Sequence, residues 1–132
     1  MAVSDQDLID AATRVRENSY APFSEFKVGS ALETDDGEII VGSNVESASY
    51  GLTVCAERVA VWNAISHGKR KIRKIAVVTD TENLTPPCGV CRQIIWEFGG
   101  DIPVIFANLT GKVEIVQMSE LLPRAFDTKF LE

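Results

Sequence analysis

Nothing in this 132-residue sequence approaches the roughly 20 consecutive apolar residues that cross a bilayer. The N-terminus, MAVSDQDLID, also lacks a basic region followed by an apolar run, so no secretory signal and no membrane partner are expected, and the predicted location is cytoplasmic. Basic charge is in short supply: 13 Lys and Arg stand against 19 Asp and Glu, for a net charge of -6. Binding a phosphate backbone draws on clustered cations that displace counterions, so a nucleic acid polymer is a poor partner and a small neutral substrate a better one. The one basic cluster, GKRKIRK at 68–74, reads as a solvated loop. Internal repeats, linkers and low-complexity segments are missing too. At this length, with 45% hydrophobic and 24% charged residues, one folded domain over residues 1–132 is expected.

Cysteine is scarce and odd in number. Three cysteines cannot all pair within one chain, which argues against a disulfide framework and fits reduced thiols or metal thiolates in a reducing compartment. Histidine is scarcer still, with His67 alone.

What is present is regular patterning. Leu8, Ala11, Ala12 and Val15 form one stripe of an amphipathic helix over 5–19, with Ser4 or Asp5 as N-cap. FKVGSALET and EIIVGSN read as antiparallel strands joined through Asp36-Gly37, a tight-turn signal. A mostly apolar helix runs from Cys55 to His67, with Gly68 just past its end. KIAVVTD (74–80) reads as a central strand covered on both faces, followed by a helix from near Thr85, with Pro86 in its first turn, to Gly99-Gly100. IPVIFAN and VEIVQ are two further strands around Thr110-Gly111, and SELL is a short helix stopped by Pro123. The order α-β-β-α-β-α-β-β-α predicts a three-layer α/β domain with a mixed five-stranded sheet.

The chemistry concentrates in TVCAERVA (53–60) and TPPCGVCRQ (85–93). A C-x-x-C pair belongs to a structural zinc site, a catalytic zinc site or a dithiol redox switch. Cys88 and Cys91, three apart near a helix start, share a face and can grip one ion. Cys55 also stands at a helix N-terminus, where the macrodipole favours thiolate over thiol. A fourth protein ligand is hard to find: His67 lies about 18 Å from Cys55 along a continuous helix, and suits the helix C-terminus instead. The fourth position is left to water. Glu57 can exchange protons with that water provided the site lies off the helix end, because residues two apart on a helix point to nearly opposite sides. Three thiolates, one Zn2+ and a carboxylate leave net negative charge, which Arg58 is placed to offset. Without a metal, Arg58 reads as an exposed helix arginine.

The arrangement CAE at 55–57 followed by PCGVC at 87–91 resembles the zinc nucleoside and nucleobase deaminases. Over nearly its whole length, from SYAPFSEFKVGSAL through GSNVESASYGLTVCAER and PPCGVCRQ to LLPRAF, the chain is similar to the small homotetrameric cytidine deaminases. The resemblance implies their α-β-α fold, one Zn2+ per chain on Cys55, Cys88 and Cys91, and conversion of cytidine and deoxycytidine to uridine and deoxyuridine in pyrimidine salvage. It implies that a zinc-bound hydroxide attacks C4, that Glu57 shuttles protons, and that ammonia leaves. It also implies ribose contacts from Asn44 and Glu46, which face the same way on an extended segment. Phe26 would line the pocket, the Ala56 backbone would touch the base, and Tyr50 would stand at a subunit junction. Phe126 would reach a neighbouring subunit's site, Arg58 would bond the thiolates, and Gln93 would play a supporting part. Taken alone, Phe26 at a strand start reads as core, and neither Phe126 nor the DTKFLE after it carries a functional signal.

Three rivals remain. A nucleoside-antibiotic deaminase of the blasticidin type shares C-A-E and P-C-G-x-C-R-Q, although Asn44, Glu46 and Phe26 favour an unmodified ribosyl or deoxyribosyl substrate. A structural zinc module would add a fourth ligand and omit Glu57. A dithiol redox protein would leave Cys55 idle.

Overall fold

The computed structural model describes residues 2–131. Five strands, β1 (Val28–Thr34), β2 (Ile39–Ser43), β3 (Ile72–Thr79), β4 (Pro103–Asn108) and β5 (Val113–Gln117), form one sheet in the order β2-β1-β3-β4-β5. β3 and β4 run parallel, and the other neighbouring pairs are antiparallel. The helices are α1 (Asp5–Val15), α2 (Ala56–Ser66), α3 (Gly89–Gly99) and the short α4 (Met118–Leu121).

Side chains alternate across a strand, so the sheet feeds two separate apolar layers. Ala31, Ala76, Val78, Ile105 and Ala107 meet Leu8, Ile9, Ala11 and Ala12 of α1. On the other face Leu32, Ile75, Val104 and Phe106 meet Ala60, Val61 and Ala64 of α2 and Ile95 of α3. This is the three-layer α/β arrangement with a mixed sheet that the element order predicts. The layers close most tightly at two glycines. A Cβ on Gly29 would lie 1.9 Å from the Ala12 carbonyl oxygen, and one on Gly42 would lie 2.3 Å from the Ala60 amide nitrogen. Here helix backbone rests directly on strand backbone, which only glycine allows.

Local details differ from the sequence reading for identifiable reasons. α1 opens on a capping box between Ser4 and Asp7. It ends at Val15 rather than 19, tightening into a 3-10 turn over Arg16–Asn18. There Arg16 Nε donates to the Lys27 carbonyl and Ser19 Oγ to the Val28 carbonyl, turning the chain towards β1. α3 begins at Gly89, not near Thr85. Pro86 and Pro87 supply no N–H and push the residues before them out of the α region, so the chain stays extended until Cys88 caps the helix. The basic stretch 68–74 is only partly loop: Ile72 is buried and opens β3. Three of its five cations are paired within the chain, Lys69 with Asp36 and Glu38, Arg73 with Glu33, and Lys74 with Asp5.

Candidate active site and metal centre

The N-termini of α2 and α3 meet beside the end of β3. Cys55 is the N-cap of α2 and Cys88 the N-cap of α3, both with extended backbone and neither spending its side chain on a capping bond. Cys91, fully buried, sits one turn into α3. The Cys55 and Cys88 sulfurs are 3.7 Å apart, and all three sulfurs lie within 4.8 Å of one another. Tetrahedral zinc with Zn–S bonds of about 2.3 Å puts neighbouring sulfurs about 3.8 Å apart, so the cluster has the dimensions of a zinc site. Among the described residues no fourth side chain joins it.

The sulfurs already share charge. The Cys55 thiol is held down to about 5, first by the hydrogen bond from Cys91 and then by Arg58 and Cys88, against the cost of burial. Cys91 is pushed up, first by that same bond and then by burial. A cluster that favours one thiolate before any metal arrives is suited to a divalent cation. Arg58 Nη2 stands 3.8 Å from Cys55 Sγ and donates to the Thr53 carbonyl, with the guanidinium over the Trp62 ring.

Glu57 is the second residue of α2 and only 5% exposed. Burial, reinforced by the charge on Cys55, pushes its carboxyl up to about 7. Because Cys55 lies off the helix end, Cys55 and Glu57 open onto one pocket, which satisfies the geometric condition set by their spacing. That pocket, of about 180 Å³, is walled by Phe26, Val28, Asn44, Ala56, Val77 and Thr79 and reaches Cys88.

Residues 2–107 match the cytidine and deoxycytidylate deaminase zinc-binding region. The chain belongs to this deaminase family. A cytidine deaminase of Halalkalibacterium halodurans is 50% identical over 122 residues, covering 92% of each chain. The crystal structure of cytidine deaminase from Burkholderia pseudomallei has a TM-score of 0.90 at 46% identity, covering 93% of this chain and 99% of that one. A blasticidin-S deaminase of Bacillus cereus is 30% identical over 127 residues, 90% of this chain and 89% of that one.

Within this deaminase fold, the residues expected from the sequence fall into two groups. Cys55, Cys88, Glu57, Ala56, Phe26 and Asn44 gather at the pocket. Asn44 also clamps the chain that carries Phe26: its Oδ1 accepts from the Val28 amide at 2.9 Å and its Nδ2 donates to the Phe26 carbonyl at 2.7 Å. Asn44→Ala strands both backbone groups, so a loss of about 1–3 kcal/mol is expected in urea unfolding. An unchanged unfolding midpoint at unchanged slope would contradict the clamp.

The second group lies away from this chain's pocket lining. Glu46 Oε1 accepts from the Phe23 and Ser24 amides, and Oε2 accepts from the Ser24 hydroxyl. That hydroxyl, then the backbone amides, hold the Glu46 carboxyl below its ordinary range. Tyr50 is 76% exposed and packs edge-on against Phe23. Phe126 is 54% exposed and stacks on Phe130. Gln93 turns to the tail, donating to the Phe126 carbonyl at 2.8 Å. The tail is further tied down by Trp96 Nε1, which donates to Asp127.

Sequence reasoning passed over Thr79 and Thr85 in the pocket wall. It also passed over Arg92, which donates to the carbonyls of Pro87 and Leu121 and so braces the turn before Cys88. The run PCGVCRQ contained that signal, since an arginine one residue past the last cysteine is within one helical turn of Cys88.

Proposed function

We propose that the chain, acting as one domain, is a zinc-dependent deaminase that hydrolyses cytidine and deoxycytidine to uridine, deoxyuridine and ammonia in pyrimidine salvage. The observation that carries this reading is a buried carboxyl, Glu57, opening onto the same pocket as a three-sulfur cluster of zinc dimensions. The pocket lining includes no Lys or Arg, which suits a nucleoside rather than a nucleotide.

Cys55, Cys88 and Cys91 would hold the ion, which when bound supplies a Lewis acid that acidifies water. Glu57 takes one proton of the attacking water and gives it to N3 of the cytosine, then takes the proton left on the attacking oxygen and gives it to the departing amine as the C4 carbonyl forms. Arg58 offsets the charge on the sulfurs. Phe26 packs on the pyrimidine, and the backbone of Ala56 meets its polar edge. Asn44 and Glu46 divide their hydrogen bonds between the loop they brace and the ribose. Asn44→Ala is therefore expected to raise KM for cytidine more than for free cytosine; equal effects on both would remove the ribose assignment.

The exposed aromatics support a homotetramer with sites shared between subunits, with Tyr50 at a junction and Phe126 completing a neighbour's pocket. Phe126 is exposed yet braced by Gln93 and Phe130, as expected of a side chain presented to a partner. Phe126→Ala is expected to raise KM about tenfold with little change in kcat. Sedimentation at assay concentration showing a monomer would overturn this part. Reduced cysteines fit a cytoplasmic location.

A further inference from the structure

Two side chains of the pocket wall play no part in the chemistry above. Thr79, at the end of β3, is 1% exposed, and Thr85 lies on the extended segment before Cys88; both line the pocket. Thr81, which is outside the lining, joins them. The Thr79 and Thr81 hydroxyl oxygens are 2.8 Å apart, and those of Thr81 and Thr85 are 3.3 Å apart. The bend carrying Thr81 is held by Asn108 Nδ2, which donates to the Thr81 carbonyl at 2.9 Å.

Each hydroxyl has one hydrogen to donate and can also accept. Three hydroxyls bring three hydrogens to two links, so one hydrogen is always left over. With the links running from Thr85 through Thr81 to Thr79, the spare donor is on Thr79. With the links reversed it is on Thr85, and Thr79 offers only lone pairs. Rotation of hydroxyls alone interconverts the two, and both ends open on the same pocket. Deamination inverts the polarity of the pyrimidine in the same sense: an amino donor becomes a carbonyl acceptor, and N3 changes from acceptor to N–H donor. A wall of fixed polarity would favour one side of the reaction.

We propose that Thr79 is a further substrate-positioning contact, whose hydrogen-bond polarity is set through Thr81 and Thr85 and reverses between cytosine and uracil nucleosides. The proposal rests on the deaminase reading. It is tested on zinc-loaded wild type, Thr79→Val, Thr79→Ser, Thr81→Val and the double valine variant, by calorimetric binding of uridine and by cytidine kinetics. Thr79→Val, an isostere suited to a strand, is expected to weaken uridine binding and raise KM about three- to tenfold, with kcat changed far less. Thr79→Ser restores both, which a purely packing role of the methyl group would not. Thr81→Val weakens binding about twofold alone and adds nothing in the Thr79→Val background, because it acts only through the chain. If Thr79→Val loses zinc or fails to fold, Thr81→Val decides. An active wild type with uridine affinity unchanged in Thr79→Val, or in Thr81→Val where that decides, overturns the threonine assignment alone. A wild type that does not convert cytidine overturns the deaminase reading itself.

Discussion

Glu57→Gln is expected to lower cytidine turnover about a hundred- to ten-thousandfold, the range a positioned general acid–base contributes, while leaving zinc content and fold intact. Glu57 is nearly fully buried, and burial is the main cause holding its carboxyl up to about 7. Glutamine keeps the shape and has no charged form to desolvate, so the substitution removes proton transfer without removing packing. Steady-state ultraviolet assays beside metal analysis check it. A variant with near wild-type turnover would remove Glu57 from the proton path.

Gly42→Ala is expected to cost about 2–3 kcal/mol of stability and to weaken zinc binding as well, because the added methyl strikes the backbone of the helix that carries Cys55. The contacts are the Ala60 amide nitrogen at 2.3 Å and the Ala56 carbonyl oxygen at 2.7 Å, neither the movable end of a side chain. Relief requires α2 to lift from β2, taking Cys55 and Glu57 with it. Gly29→Ala supplies the control: it strikes α1, on the opposite face of the sheet from the cysteines, and should destabilise comparably while leaving chelator-measured zinc affinity unchanged. Equal zinc affinity in both variants would mean that the close approach at Gly42 does not position the site.

The site was legible in the sequence where local rules govern it. The three cysteines and Glu57 sit at helix starts, and the spacing between Cys55 and Glu57 sets a condition that only an N-cap cysteine meets. The alternation in β3 and β4 likewise gives both apolar layers. What escaped depends on distant partners or on competing local signals. Ile72 opens a strand inside a basic stretch where Glu33, Asp36, Glu38 and Asp5, far away in the chain, neutralise Lys69, Arg73 and Lys74. Glu46 caps Phe23 and Ser24 across 22 or more residues, which no spacing rule reveals. The start of α3 was misplaced because Pro86 suits a first helical turn, whereas a second proline beside it keeps the chain extended. Thr79 closes an apolar run and looks like filler until Thr81 and Thr85 are seen beside it.

Three thiolates and a buried carboxyl together make a hydrolytic deaminase. The direct measurement is the ultraviolet change on adding cytidine to metal-analysed protein, with ammonia release followed in parallel. Conversion to uridine with equimolar ammonia and about one zinc per chain is the predicted result. Zinc bound at that ratio with no turnover of cytidine or deoxycytidine would contradict it.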